Sequence, residues 1–293
     1  MVNSTEGLWR TKKLDELRSA LELATEEELQ QITQILFSRR FNPLDYLQAP
    51  DPITVQSKDW NSWLDEIEKR FRYLAADGMT VLRGKTRQVS YREALIRVCH
   101  YLKIPYSKGM TTTDIEAEIF LHLIGKAWKR LPEKERKSLT LKIQQSLAAS
   151  TLPEPLPVQL QHNPIHLVLK GSSAFAVSSI LKPLILRQIA FQFTLHFASY
   201  QAASTALVSG GTAAAVTLEN QIALQAAKKG MAMTAARYGA VRSLFAFVGP
   251  VLWGWFLADL GWRAITTNYS RIIPAIFALA QIRLTREDCW EIA

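Results

Sequence analysis

SKDWNSWLDEIEKRFRYLAADG, residues 57–78, decides the fold class. Trp60, Trp63, Leu64, Ile67, Phe71 and Leu74 recur at three- and four-residue steps. That spacing gathers side chains on one face of a helix with 3.6 residues per turn. Asp, Glu, Lys and Arg fill the intervening positions, so the opposite face is solvated. Gly78 is expected to stop the helix. An amphipathic helix must bury its stripe against other elements, and the same periodicity on both sides of it makes those elements helices.

Upstream, Leu14, Leu17, Leu21, Leu29, Ile32 and Leu36 keep helical spacing from about Leu14 to Arg39. Thr25 followed by Glu28 is a capping box, so two helices are expected to meet near Ala24. FNPLDYLQAPDPITV, with Pro43, Pro50 and Pro52, reads as a connector. Downstream, SYREALIRVCHYL opens on Ser90 and Glu93 and carries Tyr91, Leu95, Val98 and Leu102 on its apolar face. TTDIEAEIFLHLIGKAWKRL is expected to open on a box of Thr113 and Glu116, with Ile115, Ile119, Leu123 and Ala127 buried. Pro132 suits the first turn of PEKERKSLTLKIQQSL. STLPEPLPVQLQHNP then brings Pro153, Pro155, Pro157 and Pro164 and little periodicity. The expected organisation is all-α: a helical bundle over 10–150, a proline-rich linker over 151–166, and an apolar, glycine- and alanine-rich helical unit over 167–286.

Charge divides the chain at the same place. The formal net charge is +9. Residues 1–150 hold 24 Lys+Arg and 20 Asp+Glu, whereas residues 155–286 hold 11 Lys+Arg and two acids, Glu219 and Asp259. Bases kept without acids suit an anionic, apolar surface. Three stretches lack charge altogether: 188–218, 243–258 and 272–282. Each is a poor spanning helix, because polar residues and Gly210-Gly211 interrupt the first, Pro250 the second and Pro274 the third. Spanning, conditional insertion and a lipid-free bundle therefore all remain open. Trp253, Trp255 and Trp262 beside Arg263 fit headgroup depth, and Lys228, Lys229, Arg237 and Arg242 flank the second stretch. Asp259 stands four residues before Arg263, the offset of an intrahelical ion pair.

Other motifs are weaker. Gly84-Lys85-Thr86 invites a phosphate-binding loop, but the upstream glycine, Gly78, is one residue out of register and no strand leads into it. Arg83, Lys85, Arg87, Arg92 and Arg97 form a basic cluster that could meet phosphates, although Arg92 and Arg97 do not share a helical stripe. Asp114, Glu116 and Glu118 would repel DNA, which argues against sequence-specific nucleic-acid binding. His162 and His166 flank Pro164, a poor zinc pair, and His196 reads as an interior histidine. Cys99 and Cys289 make no metal or redox motif. No acid/base pair or nucleophile–base set is visible, so no enzyme, cofactor or metal is expected. The N-terminal residues lack the apolar core of a signal peptide, so the chain is expected to begin in the cytoplasm.

Residues 81–139 resemble a bacterial group, the YaaW-like proteins, through Leu82-Arg83-Gly84, Leu102-Lys103, Met110-Thr111-Thr112 and Trp128-Lys129. NYSRIIPAIFALAQIR, from Asn268 to Arg283, is similar to the C-terminal motif of that group. The likeness covers roughly residues 10–145 and 205–286. Part of that group's N-terminal region is similar to the ubiquinol–cytochrome c chaperone domain. The resemblance implies an all-α fold and a role beside membrane complexes, and brings no catalytic residues. The expected protein is a membrane-associated accessory factor at the inner face of a membrane. Its expected partners are anionic lipid and a protein met through the N-terminal bundle. The alternative is a helical protein-interaction module that never contacts lipid.

Overall fold

A computed structural model describes residues 16–37, 50–150, 152–166, 181–208 and 268–285. These residues form eleven α-helices and one 3₁₀ turn, with no strand among them. In chain order the helices are α1 (Glu16–Glu22), α2 (Glu26–Phe37), α3 (Pro52–Gln56), α4 (Trp60–Ala75), α5 (Gly78–Leu82), α6 (Tyr91–Leu102), α7 (Thr112–Arg130), α8 (Glu133–Ala148), α9 (Val158–His162), α10 (Leu181–Val208) and α11 (Tyr269–Thr285). The 3₁₀ turn, Thr86–Gln88, lies between α5 and α6.

Local chemistry sets most of the boundaries. The Thr25 backbone N–H donates to Glu28 Oε2 at 2.7 Å and the Glu28 N–H donates to Thr25 Oγ1 at 3.3 Å, the reciprocal box read from the sequence. In the stretch read as a connector, Pro52 opens the short α3 behind Asp51, whose side chain accepts from the Ile53 N–H. Gly78 does not stop α4. That helix ends at Ala75, and Asp77 caps the Thr80 N–H at 2.7 Å, so Gly78 begins α5. The Asp77 carboxylate satisfies an N–H that a helix start leaves without a partner, which puts Gly78 in the first turn of α5. The box expected at Thr113 and Glu116 forms two residues earlier, between Thr111 and Asp114.

The interior follows the predicted stripes. Trp63, Leu64, Ile67, Phe71 and Leu74 are buried on α4, while Trp60, one turn earlier, is 42% exposed. Trp63 Nε1 donates to Thr33 Oγ1 at 2.8 Å, and that hydroxyl donates to the Leu29 carbonyl, so the indole nitrogen is satisfied inside the α2–α4 contact. Ile115, Ile119, Leu123 and Ala127 are all buried on α7.

The centre of the bundle is α11. Every residue from 271 to 284 is buried. The helix packs against α1, α2, α4, α6, α7 and α10. A helix apolar on all sides belongs either in a large core or in a bilayer, and here protein surrounds it. Phe277 stacks on Phe120 of α7 at 4.9 Å between ring centroids, and Tyr269 stacks on Tyr101 of α6 at 4.4 Å. The first part of α10 lies on α8, with Ser146 Oγ donating to Gln188 Oε1 at 2.7 Å and Phe193 against Trp128. Helices from both sides of the proline-rich 151–166 segment thus share one hydrophobic core. The remainder of 167–286 lies outside the described residues.

Candidate functional site

The five members of the N-terminal basic cluster divide into two kinds. Arg97 is structural. Its Nη1 donates to the Ala75 carbonyl at 2.8 Å, and its Nη2 reaches Asp77 Oδ2 at 3.0 Å and Glu93 Oε1 at 2.6 Å. One guanidinium therefore ties the α4–α5 corner to α6, using the planar fork that lysine lacks. Arg92 Nη2 donates to the Lys108 carbonyl at 3.2 Å and holds the loop after α6. Arg83, Lys85 and Arg87 are exposed instead.

Gly84-Lys85-Thr86 is a helix-ending turn. Gly84 adopts a left-handed φ of 66°. The Lys85 N–H returns to the Thr80 carbonyl and the Gly84 N–H to the Val81 carbonyl, each at 3.0 Å. This is the paired closure of a Schellman motif, in which a glycine takes the left-handed position at no steric cost. Those backbone donors are used up in the turn and do not curl round a phosphate.

Trp253, Trp255, Trp262, Arg263, Arg237, Arg242, Lys228, Lys229 and Asp259 lie outside the described residues. The helices that bracket them are described, and both are joined by charge to the start of α7. Lys182 Nζ of α10 lies 2.5 Å from Asp114 Oδ1. Arg283 Nε of α11 lies 3.2 Å from Glu116 Oε2, and its Nη2 donates to the Glu16 carbonyl at 2.8 Å. Thr112 Oγ1 donates to Glu16 Oε1 at 3.1 Å, which brings α1 into the same junction.

Arg283 and Glu116 are almost fully buried, at 9% and 2% side-chain exposure. Burial pushes the Glu116 carboxyl above its ordinary value, and the Arg283 guanidinium opposes that rise. Tyr91 is pushed well above its ordinary 10, first by burial and then by the neighbouring Glu116 charge. Asp114 is held below the usual carboxylate range: burial works upward, and the Lys182 and Thr111 hydrogen bonds outweigh it. These residues escaped the sequence reading, although a signal was present. Arg283 closes an otherwise apolar segment, and a base there needs a buried acid as partner.

Of the histidines, His196 is buried and His122 half-buried, while His100 and His162 are exposed. His196 is buried, with Nε2 3.3 Å from Glu135 Oε2, so the residue read as interior has a carboxylate neighbour. Burial lowers the His122 pKa from 6.5 to about 4, and Lys126 and Lys129 add to the effect. Between those two values the unfolded chain binds a proton that the folded chain refuses. Stability should therefore fall as pH drops from 6.5 toward 4. Urea unfolding at pH 7 and pH 5 is expected to show a less stable protein at pH 5, with part of the difference removed in His122→Gln. An unchanged difference in that variant would assign the effect elsewhere.

Among the described residues no group of three or more His, Cys, Asp or Glu is placed to hold a metal. No described helix is long and apolar enough to cross a membrane. No protein-family model, curated protein or solved structure matches this chain.

Proposed function

We propose that the chain is a non-enzymatic accessory protein, an assembly factor or scaffold, that works at an anionic membrane face and meets a protein partner through its helical bundle. The resemblance to the YaaW-like group supports the same reading and is itself part of the proposal. One observation carries it: the helices on either side of residues 209–267 are pinned to α7 by Lys182–Asp114 and Arg283–Glu116. The intervening sequence holds five bases, two acids and Trp253, Trp255 and Trp262. A basic, indole-rich segment carried between two helices that dock on one bundle suits delivery to phospholipid headgroups.

A second reading has its own support. Two of the bases whose excess suggested lipid, Lys182 and Arg283, have acidic partners within the N-terminal half. That favours a helical interaction module without lipid contact. Flotation of the full chain with phosphatidylglycerol vesicles at low and high salt separates the two. Co-migration that weakens with salt is expected for the first reading. Absence of co-migration at every salt concentration would overturn it. Carbonate washing of native membranes would then distinguish surface attachment, which it removes, from insertion, which it leaves.

A further inference from the structure

We propose that the turn from α5 into the 3₁₀ element is a dedicated contact for an anionic lipid bilayer. Leu82 enters the acyl boundary, and Arg83, Lys85 and Arg87 lie among the headgroup phosphates. The proposal rests on the membrane reading above and assigns it a second segment, residues 79–87, in addition to residues 209–267.

Leu82 is 83% exposed and Met79 57% exposed. Other apolar side chains are also exposed, including Ile53 and Val158, but the surroundings of Leu82 differ. No acid occurs between Asp77 and Glu93, a stretch that holds Arg83, Lys85, Arg87 and Arg92. Both flanking acids are engaged by Arg97. The exposed bases therefore face outward without a carboxylate from their own segment to neutralise them.

The frame is also fixed. Asp77 caps one end of α5 and the Gly84 closure seals the other. Arg72 Nη1 donates to the Val89 carbonyl and binds the far side of the turn to α4. An exposed leucine on a capped turn, followed by three exposed cations, matches the two components of interfacial binding, apolar insertion and attraction to anionic lipid. A partner offering phosphate alone would leave Leu82 unused.

The full chain provides the test, with vesicles of phosphatidylcholine alone or mixed with phosphatidylglycerol. Each base near an anionic surface contributes about fivefold in affinity. Arg83→Gln, Lys85→Gln and Arg87→Gln together should therefore weaken binding to the mixed vesicles roughly a hundredfold at low salt. All three side chains are exposed, so thermal melting should match the wild type. A dye on Leu82→Cys in a Cys289→Ser background reports insertion, because the remaining thiol, Cys99, is buried and its pKa is pushed up to about 12 by burial and by Glu118. Its emission should shift to the blue with mixed vesicles and stay unchanged with phosphatidylcholine alone. Wild-type binding that neither the triple variant nor the dye registers would overturn this contact and leave the membrane reading standing. Weakened binding of the triple variant without a dye shift would overturn the insertion of Leu82. Failure of the wild type to bind mixed vesicles would overturn both.

Discussion

Arg283→Met should destabilise the folded chain by about 3–5 kcal/mol at neutral pH, the usual cost of leaving one member of a buried ion pair uncompensated. Methionine keeps the length and apolar stem of the side chain, so the loss falls on the charge and its hydrogen bonds. Glu116 then has no cation opposing the burial that already raises its pKa. A carboxyl with a raised folded-state pKa contributes stability below its unfolded value, lost as pH rises through the folded one. The variant's deficit should therefore shrink in acid and grow toward neutrality. Replacing both partners, Arg283→Met with Glu116→Leu, should recover most of the loss, because a buried pair exchanged for apolar groups of similar size is often neutral. Denaturant midpoints for the four proteins of this cycle measure the coupling directly. A single-variant cost below about 1 kcal/mol would mean that the pair is hydrated and does not lock the junction.

That junction also explains where sequence reading succeeded and where it stopped. Thr25 and Glu28 were legible because Thr25 is the one hydroxyl between Ser19 and Thr33, and the carboxylate three residues on is Glu28. The next box was misplaced by two residues for a reason outside the local window. Thr111, Thr112 and Thr113 each offer a hydroxyl, and Asp114 and Glu116 each offer a carboxylate. Asp114 takes the capping position and also receives Lys182, while Glu116 is turned inward to Arg283. The choice between them is made by helices about 70 and 170 residues away, which no spacing rule samples.

The same distance effect distorts the charge count. Read by segment, the C-terminal half keeps bases and lacks acids. Read in space, Lys182 and Arg283 meet Asp114 and Glu116, and His196 lies beside Glu135. Lys182, Arg283 and His196 thus meet their counter-charges in the N-terminal bundle, a pairing that a count by segment does not register. In the N-terminal cluster the correction runs the other way. Arg92 and Arg97 already fell on different helical stripes in the sequence, and in the structure both are engaged with backbone and acids, leaving Arg83, Lys85 and Arg87 as the outward set.

Residues 1–166 produced alone should fail to form a cooperatively folded bundle. The proline-rich segment makes this fragment look like a natural unit, but its core lacks the helix around which it is built. Without α11, the stripes of α1, α2, α4, α6 and α7 lose the surface that they enclose. Ile272, Ile273, Ile276, Phe277, Leu279, Ile282 and Leu284 of α11 are each no more than 3% exposed. Full burial of such side chains contributes about 1.5–3 kcal/mol each, so the seven together rival the ~5–15 kcal/mol net stability of an ordinary domain. The fragment should keep helical far-ultraviolet dichroism, because its caps and periodicity are local. It should lose near-ultraviolet signal, bind a hydrophobic dye and melt without a sharp transition, the behaviour of a collapsed chain without fixed packing. Co-expression with residues 167–293 should restore the transition, since the missing contacts are supplied in trans. A fragment that melts sharply by itself would show that α11 docks on a finished bundle instead of forming its centre.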